Sequence, residues 1–291
     1  MAQNDQQNRI ERFMGRGGFP CLRLSHVSGF SAVISEYGAH ILSWRSPEEQ
    51  ELLFTSEAAI FETGKPIRGG IPVIFPQFGK GALPQHGFAR VRPWRVVRES
   101  IGASDAVSVT LRMNSDKETE LAWSHPFTVE LDIVLTDVLL ISLRVINTGR
   151  ATFSFTSALH TYFRVGDISM VSIQGLRDLE YSDFLVDRRV FTENRDEVLI
   201  GGPIDRAYRD SPETVMIESR HDRLRFLITK EGFTDTVVWN PWDVGARAIL
   251  DLKPEEYREM ICAESGNILS PVMVEPGDIH TSAQILRIER F

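Results

Sequence analysis

The chain has 291 residues, with 40 acidic against 32 basic side chains and a net charge of −8. That balance excludes a general nucleic-acid or anionic-membrane binder, since both need a basic face, but it leaves room for a small anion held by a few local cations. A hydrophobic content of 42% with 25% charged residues is that of a globular chain, neither disordered nor membrane-resident.

The opening MAQNDQQNRIERF has no apolar stretch of the secretory kind, and no run of about 18 apolar residues follows anywhere, so a cytoplasmic location is expected. Residues 1–10 read as a loose start. Period-two alternation then begins and persists. FSAVISEYGAHILSWRS (30–46) alternates, SEAAIF (56–61) predicts a short helix, and RPWRVVR (92–98) predicts a strand with one charged face. AVSVTLRMN (106–114) alternates, as does the long run FTVELDIVLTDVLLISLRVINTG (127–149), with a tight hairpin expected around Asp137 and a second around Asn147–Gly149. ATFSFTSALHTYF (151–163), RLRFLITK (223–230) and SAQILRIERF (282–291) continue the pattern, and PEEYREM (254–260) predicts the other short helix. Many short strands with few helices predict an all-β fold, an antiparallel β-sandwich. No repeat or linker divides the chain, so 11–291 reads as a single domain.

Three stretches raise chemical questions. Segment 64–95 is dense in Gly and Pro yet carries Ile71, Val73, Ile74, Phe75, Phe78, Phe88 and Trp94, which should be buried. An ordered loop of this length is either a structural loop with solvent-facing arginines or a pocket wall. Its polar residues are Arg68, Gln77, Gln85, His86 and Arg90, and the glycines after Arg68 would let a ligand approach the backbone. His160 sits in TSALHTYFRV (156–165), amid apolar and aromatic neighbours. It is either a core histidine tied to a carbonyl or a proton donor on a rigid sheet. Glu264 in MICAESGNI (260–268) reads as a strand end opening into a turn, where it is either an exposed turn residue or a carboxylate with a task. The two cysteines, Cys21 and Cys262, are too few for a disulfide framework or thiolate zinc site and are expected buried and reduced. No H-E-x-x-H, G-x-S-x-G, P-loop or G-x-G-x-x-G occurs, so no metal and no cofactor is expected.

Taken together, IRGGIPVIFPQFG, LPQHGFARVRPW, INTGRATFSFTSALHTYFRV, PIDRAY, DTVVWNPW, EYREMICAESGNI and VMVEPGD make the chain resemble the glucose-6-phosphate 1-epimerase family, or hexose-6-phosphate mutarotases, of the galactose-mutarotase-like β-sandwich superfamily. The resemblance runs from about residue 20 to the end. It departs at Ile74, where the family often has a bulkier residue, and at Ser265, where it has a second proline. It implies an isomerase that interconverts α and β anomers of D-hexose 6-phosphates, a monomer, with no nucleic-acid or membrane partner. It implies that His160 and Glu264 are catalytic and that Asp205 binds a sugar hydroxyl. Arg68 and Arg90 would hold the substrate and its phosphate, with Gln85 and His86, and Gln77, at the same pocket. The chemistry agrees: ring opening needs one base at the O1 hydroxyl and one acid at O5, here Glu264 and His160. Three rivals remain: a sugar-phosphate sensor on the same scaffold, an epimerase of free aldoses, and a glycosidase or lyase using Glu264 and Asp205.

Overall fold

A computed structural model describes residues 7–102 and 105–291. In chain order its strands are β1 (Arg9–Met14), β2 (Pro20–Ser25), β3 (Ser31–Ser35), β4 (His40–Arg45), β5 (Val73–Ile74), β6 (Arg95–Ile101) and β7 (Val107–Asn114). After helix α1 (Lys117–Ala122) come β8 (Phe127–Leu135), β9 (Leu139–Asn147), β10 (Phe153–Leu159), β11 (Tyr162–Arg164), β12 (Val171–Gln174), β13 (Glu180–Asp183), β14 (Arg189–Thr192) and β15 (Glu197–Leu199). The chain continues with β16 (Ile204–Tyr208), β17 (Thr214–Ser219), β18 (Leu224–Glu231), β19 (Asp235–Asn240), helix α2 (Trp242–Arg247), β20 (Met260–Val274) and β21 (Ile279–Arg290).

The strands form three antiparallel sheets. β1 to β4 make a small meander. An eight-stranded sheet runs β14-β13-β16-β19-β20-β10-β5, with β11 also paired to β20, and a nine-stranded sheet runs β15-β12-β17-β18-β21-β9-β8-β7-β6. The alternation read from the sequence is the alternation of burial: Leu139, Ile141, Leu143 and Val145 of β9 are buried while Leu140, Ser142 and Arg144 are half-buried. The two large sheets face each other, and Phe163 packs on Phe226 across the gap with ring centroids 4.9 Å apart. Each such fully buried side chain stabilises the fold by roughly 1.5–3 kcal/mol.

The differences from expectation have local causes. β1 starts at Arg9, inside the segment expected to be loose, because it pairs with β2; residues 1–6 lie outside the described residues. The turn at Asp137 is the expected hairpin between β8 and β9. The turn at Asn147–Gly149 is not a hairpin, for β9 and β10 lie in different sheets. There the Asn147 amide donates to the Ala151 and Val274 carbonyls at 2.9 and 2.8 Å, fastening a crossover. Residues 56–61 form no helix, because the buried Glu256 carboxylate accepts from Ser56 Oγ and the Glu57 amide and holds them as a turn. PEEYREM yields only a 3₁₀ turn at Glu256–Glu259. The α-helices are α1, capped by Asp116 with Thr119 in a reciprocal box, and α2. Among the described residues no helix is long and apolar enough to cross a membrane.

Candidate active site

Glu264 lies in the middle of β20, not at a strand end, and is 1% exposed. The ladders of β19 and β20 set it opposite Val237. On the other side of β20 the partner strand is broken. β10 pairs with residues 265–267 and β11 with 260–262, so His160 and Thr161 between them leave the ladder. His160 N donates to the Pro72 carbonyl at 3.1 Å, and Thr161 N to the Leu159 carbonyl at 3.0 Å. Both strands keep one register, Leu159 with Ser265 and Tyr162 with Cys262, so the gap sets His160 across from Glu264. Their side chains meet with Nε2 and Oε1 3.3 Å apart. Nδ1 of His160 and Oε2 of Glu264 have no hydrogen-bond partner among the described residues, although both are buried. Burial of polar groups without partners is costly, and such groups point to a task rather than to packing.

Strand alternation decides the faces. Thr161 and Phe163 point between the large sheets, where Gln284 Nε2 of β21 donates to Thr161 Oγ1 at 2.9 Å. His160 and Tyr162 therefore point outward, onto the other face of the eight-stranded sheet. Tyr162 stacks on His160, with centroids 4.8 Å apart and planes 8° from parallel, and Trp239 meets His160 edge-on at 6.0 Å. Asp205 of β16 is opposite Trp239 in the ladder, which is opposite Cys262, so Asp205 belongs to the same face and is half-buried there. Cys262 and Cys21 are buried free thiols.

Segment 64–95 covers this face. Arg68 is fixed at two points: its guanidinium pairs with Asp251 at 3.1 Å, and Nη1 donates to Tyr162 Oη at 3.0 Å. Arg90 Nη2 donates to the Gln85 carbonyl at 2.8 Å, and no carboxylate lies within ion-pair distance of it among the described residues. His86 brings its ring to 5.6 Å from that of His160. Its Nδ1 accepts from the Gly79 amide at 3.3 Å, which leaves the proton of the neutral ring on Nε2. Gln77 lies beside these groups, but its side chain is used by the loop: Nε2 donates to the Gly79 and Leu83 carbonyls, and Oε1 accepts from the Leu83 amide. Gln85 is exposed and contributes its carbonyl. Gly69 and Gly70 serve the chain, not a ligand. A Cβ on Gly69 would stand 2.3 Å from the Phe54 carbonyl, and one on Gly70 2.3 Å from that of Ile41. Their positive φ values, 111° and 63°, suit only glycine in that space.

Sequence reasoning did not find Asp251, Tyr162, Trp239 or Gln284. Tyr162 was signalled by its place two residues after His160. Nothing local signals Asp251, which reaches Arg68 from a separate loop.

The site's electrostatics follow from dehydration. Burial, with Asp205 adding to it, pushes the Glu264 carboxyl well above its usual range, and Arg90 opposes the shift. Burial, then His86, Arg90 and Arg68, pull His160 well below the usual imidazole value. Burial and the nearby Asp183 raise Asp205 to about 7, while Arg188 opposes. His86 falls to about 3 through burial and the two arginines, so it is neutral. Burial and Arg68 bring Arg90 down to about 10, where it stays charged at neutral pH, with Tyr162 and Asp251 opposing. A carboxylate made more basic thus faces an imidazole made more acidic, a pair suited to moving protons in opposite directions. A cavity of about 900 Å³ opens on the β1–β4 meander between Arg9, Arg23, Arg45, Glu49 and Glu51 and shares no residue with this cluster.

The family model for aldose 1-epimerase matches residues 20–287. A protein of Cenchrus ciliaris, provisionally named a glucose-6-phosphate 1-epimerase, is 39% identical over 256 residues, covering 85% of this chain and 78% of its own. An Escherichia coli K12 protein with the same provisional name is 32% identical over 237 residues, covering 78% and 76%. A crystal structure of a provisionally named mutarotase from Salmonella typhimurium superposes with a TM-score of 0.89 at 26% identity, over 97% of this chain and 94% of that one.

Proposed function

The chain belongs to the aldose 1-epimerase family, and from that premise we propose that it interconverts the α and β anomers of hexose 6-phosphates. The single observation that carries the reading is the His160–Glu264 pair: both buried, 3.3 Å apart, each with one polar atom lacking a partner among the described residues. In the opening step Glu264 takes the proton from the O1 hydroxyl as the C1–O5 bond breaks, C1=O1 forms, and O5 takes a proton from His160. Rotation about C1–C2 presents the other face of the carbonyl. The same two groups then return the protons, Glu264 to O1 and O5 to His160, closing the other anomer. Raising the carboxyl pKa and lowering that of the imidazolium makes each transfer less uphill than between the same groups in water; the same shifts favour the resting proton on Glu264, so opening proceeds from the carboxylate–imidazolium form of the pair, in which that proton sits on His160. General acid and base catalysis of this kind contributes roughly 10²–10⁴-fold per group.

The phosphate reading rests on Arg90. Among the described residues its guanidinium is held by one carbonyl and by no carboxylate, so its charge is available to a dianion, whereas Arg68 is already shared with Asp251. A planar guanidinium matches two phosphate oxygens at once. Asp205 on the sheet face is suited to a sugar hydroxyl, and His86, neutral, to donating from Nε2. Gln77 and Gln85 act by shaping the loop. We read the chain from β1 onward as one domain and the protein as a cytoplasmic monomer that engages neither nucleic acid nor membrane.

The test is anomeric exchange of glucose 6-phosphate, followed by NMR saturation transfer beside free glucose and galactose. Acceleration confined to the phosphorylated sugar is expected. Equal acceleration of all three would replace the reading with a general aldose epimerase, and binding without acceleration would make the protein a sensor.

A further inference from the structure

A third cation, besides Arg68 and Arg90, stands beside the site, on an element that plays no part in the acid/base pair. β13 and β14 form a hairpin at the edge of the eight-stranded sheet, next to β16 and its Asp205. The hairpin turn holds Asp187 and Arg188 with φ of 55° and 58°, a left-handed pair without a glycine. Non-glycine residues kept in this region are strained by about 1 kcal/mol each or more, and persist where the surroundings need the geometry. Here the turn folds the Arg188 guanidinium back over the Phe184 ring, 5.0 Å from its centroid. That ring approaches Phe78 at 6.5 Å, Phe78 meets His86 edge-on at 5.0 Å, and His86 meets His160 at 5.6 Å. One continuous row of rings therefore leads from Arg188 to the catalytic histidine.

The guanidinium also lies against the loop that carries Arg90, with Nη2 3.9 Å from where a Cβ on Gly79 would stand. Gly79 in turn donates to His86. The carboxyl of Asp205 feels the charge of Arg188 through space but forms neither an ion pair nor a hydrogen bond with it among the described residues. Arg188 has no carboxylate within ion-pair distance among the described residues, while Arg206 on the neighbouring strand has two, Asp183 and Glu193. An exposed cation with no carboxylate partner among the described residues, seated on an aromatic face beside the site, is preorganised for an anion that arrives from outside.

We propose that Arg188 is a further binding residue of this site, a cation on the β13–β14 turn that lies against the loop carrying Arg90 and His86 and selects substrates bearing a phosphate monoester. The inference deepens the hexose 6-phosphate reading and rests on it. It goes beyond that reading in placing part of the selectivity on a hairpin outside segment 64–95, which one short insertion or deletion in the turn would abolish.

The experiment is binding and exchange measured together on wild type, Arg188→Gln and Arg188→Lys. Glucose 6-phosphate and inorganic phosphate are titrated in low and in physiological salt, with free glucose as the control ligand. Because Arg188 is exposed, the variants are expected to melt with the wild type. The expected result is a roughly tenfold weaker Kd and higher KM for glucose 6-phosphate in Arg188→Gln, the size of one charged hydrogen bond lost. The loss should be larger at low salt, partly restored in Arg188→Lys, and accompanied by an unchanged kcat. Affinity for the phosphate ester within twofold of wild type in Arg188→Gln overturns the proposal, as does a wild type that binds glucose and its 6-phosphate equally. A wild type that binds the ester through Arg188 but fails to exchange its anomers upholds the proposal and sinks the epimerase reading instead.

Discussion

Two buried glutamates in the eight-stranded sheet and its edge show opposite solutions to one problem. Glu193 is 2% exposed and Glu264 1%. Glu193 accepts from Arg195, Arg206 and the Tyr208 hydroxyl, so both of its oxygens are occupied. Burial pulls its pKa up, but the hydrogen bonds and charge of Arg195 outweigh burial and hold it below the usual range. Among the described residues Glu264 has one weakly placed partner, His160, and one oxygen with none, and burial carries its pKa well above that range. The comparison teaches that burial alone does not mark a functional carboxylate; burial with partners withheld does. The first arrangement stabilises an edge, and the second stores basicity for a substrate.

The strongest way to break the comparison is to neutralise each member. Glu264→Gln and His160→Ala should each lower kcat for anomeric exchange by roughly 10²–10⁴-fold while the protein still melts cooperatively. An active, folded His160→Ala variant would return that residue to a packing role. Arginines divide the same way as the glutamates. Arg90→Ala removes a cation without a carboxylate, and KM for glucose 6-phosphate should rise about tenfold or more with little loss of stability. Comparable KM values for variant and wild type would take the phosphate away from Arg90. Glu193→Gln should do the reverse: destabilise by about 2 kcal/mol in denaturant unfolding, leaving Arg206 and Tyr208 short of an acceptor, with exchange per folded molecule unchanged.

The pH dependence sharpens the contrast because the signs are opposite. Glu193, with its folded pKa depressed, adds stability above its usual value near 4.5 that is lost as pH falls below it. Glu264, with its folded pKa raised from 4.5, makes the folded state bind the proton more tightly, so its contribution is present below 4.5 and is lost as pH rises from there. Melting curves should therefore show Glu264→Gln gaining on wild type as pH increases above about 4.5, and Glu193→Gln losing its deficit as pH falls below that value. Parallel pH curves for wild type and Glu264→Gln would mean that Glu264 is not desolvated. The smallest effect is expected at Thr161→Val, which removes the acceptor of Gln284 beneath the strand break. kcat should fall a few-fold at unchanged KM, and Thr161→Ser should restore it.

The sequence by itself determined the strands. Period-two alternation sorts side chains between two faces, and burying one face is the dominant local demand, so β7, β8, β9, β18 and β21 stand where the pattern put them. It also marked the residues whose chemistry is out of place: a histidine amid apolar neighbours, a carboxylate after small residues, arginines in a glycine-rich loop. What it could not determine is every relation that depends on which strands become neighbours. A turn at Asn147–Gly149 that would serve a hairpin serves a crossover, because Asn147 is fastened to Val274 from far along the chain. A carboxylate that reads as a strand end lies mid-strand, because β20 is long enough to pair with three partners. The meeting of His160 with Glu264 required the pairing of β10 and β11 on either side of a break, and the bond from Asp251 to Arg68 required a contact 183 residues apart. Local periodicity is set by neighbours in the chain. A site assembled from unpaired charges is set by the tertiary fold, since only the packed sheets supply enough low-dielectric surroundings to hold those charges and shift their protons.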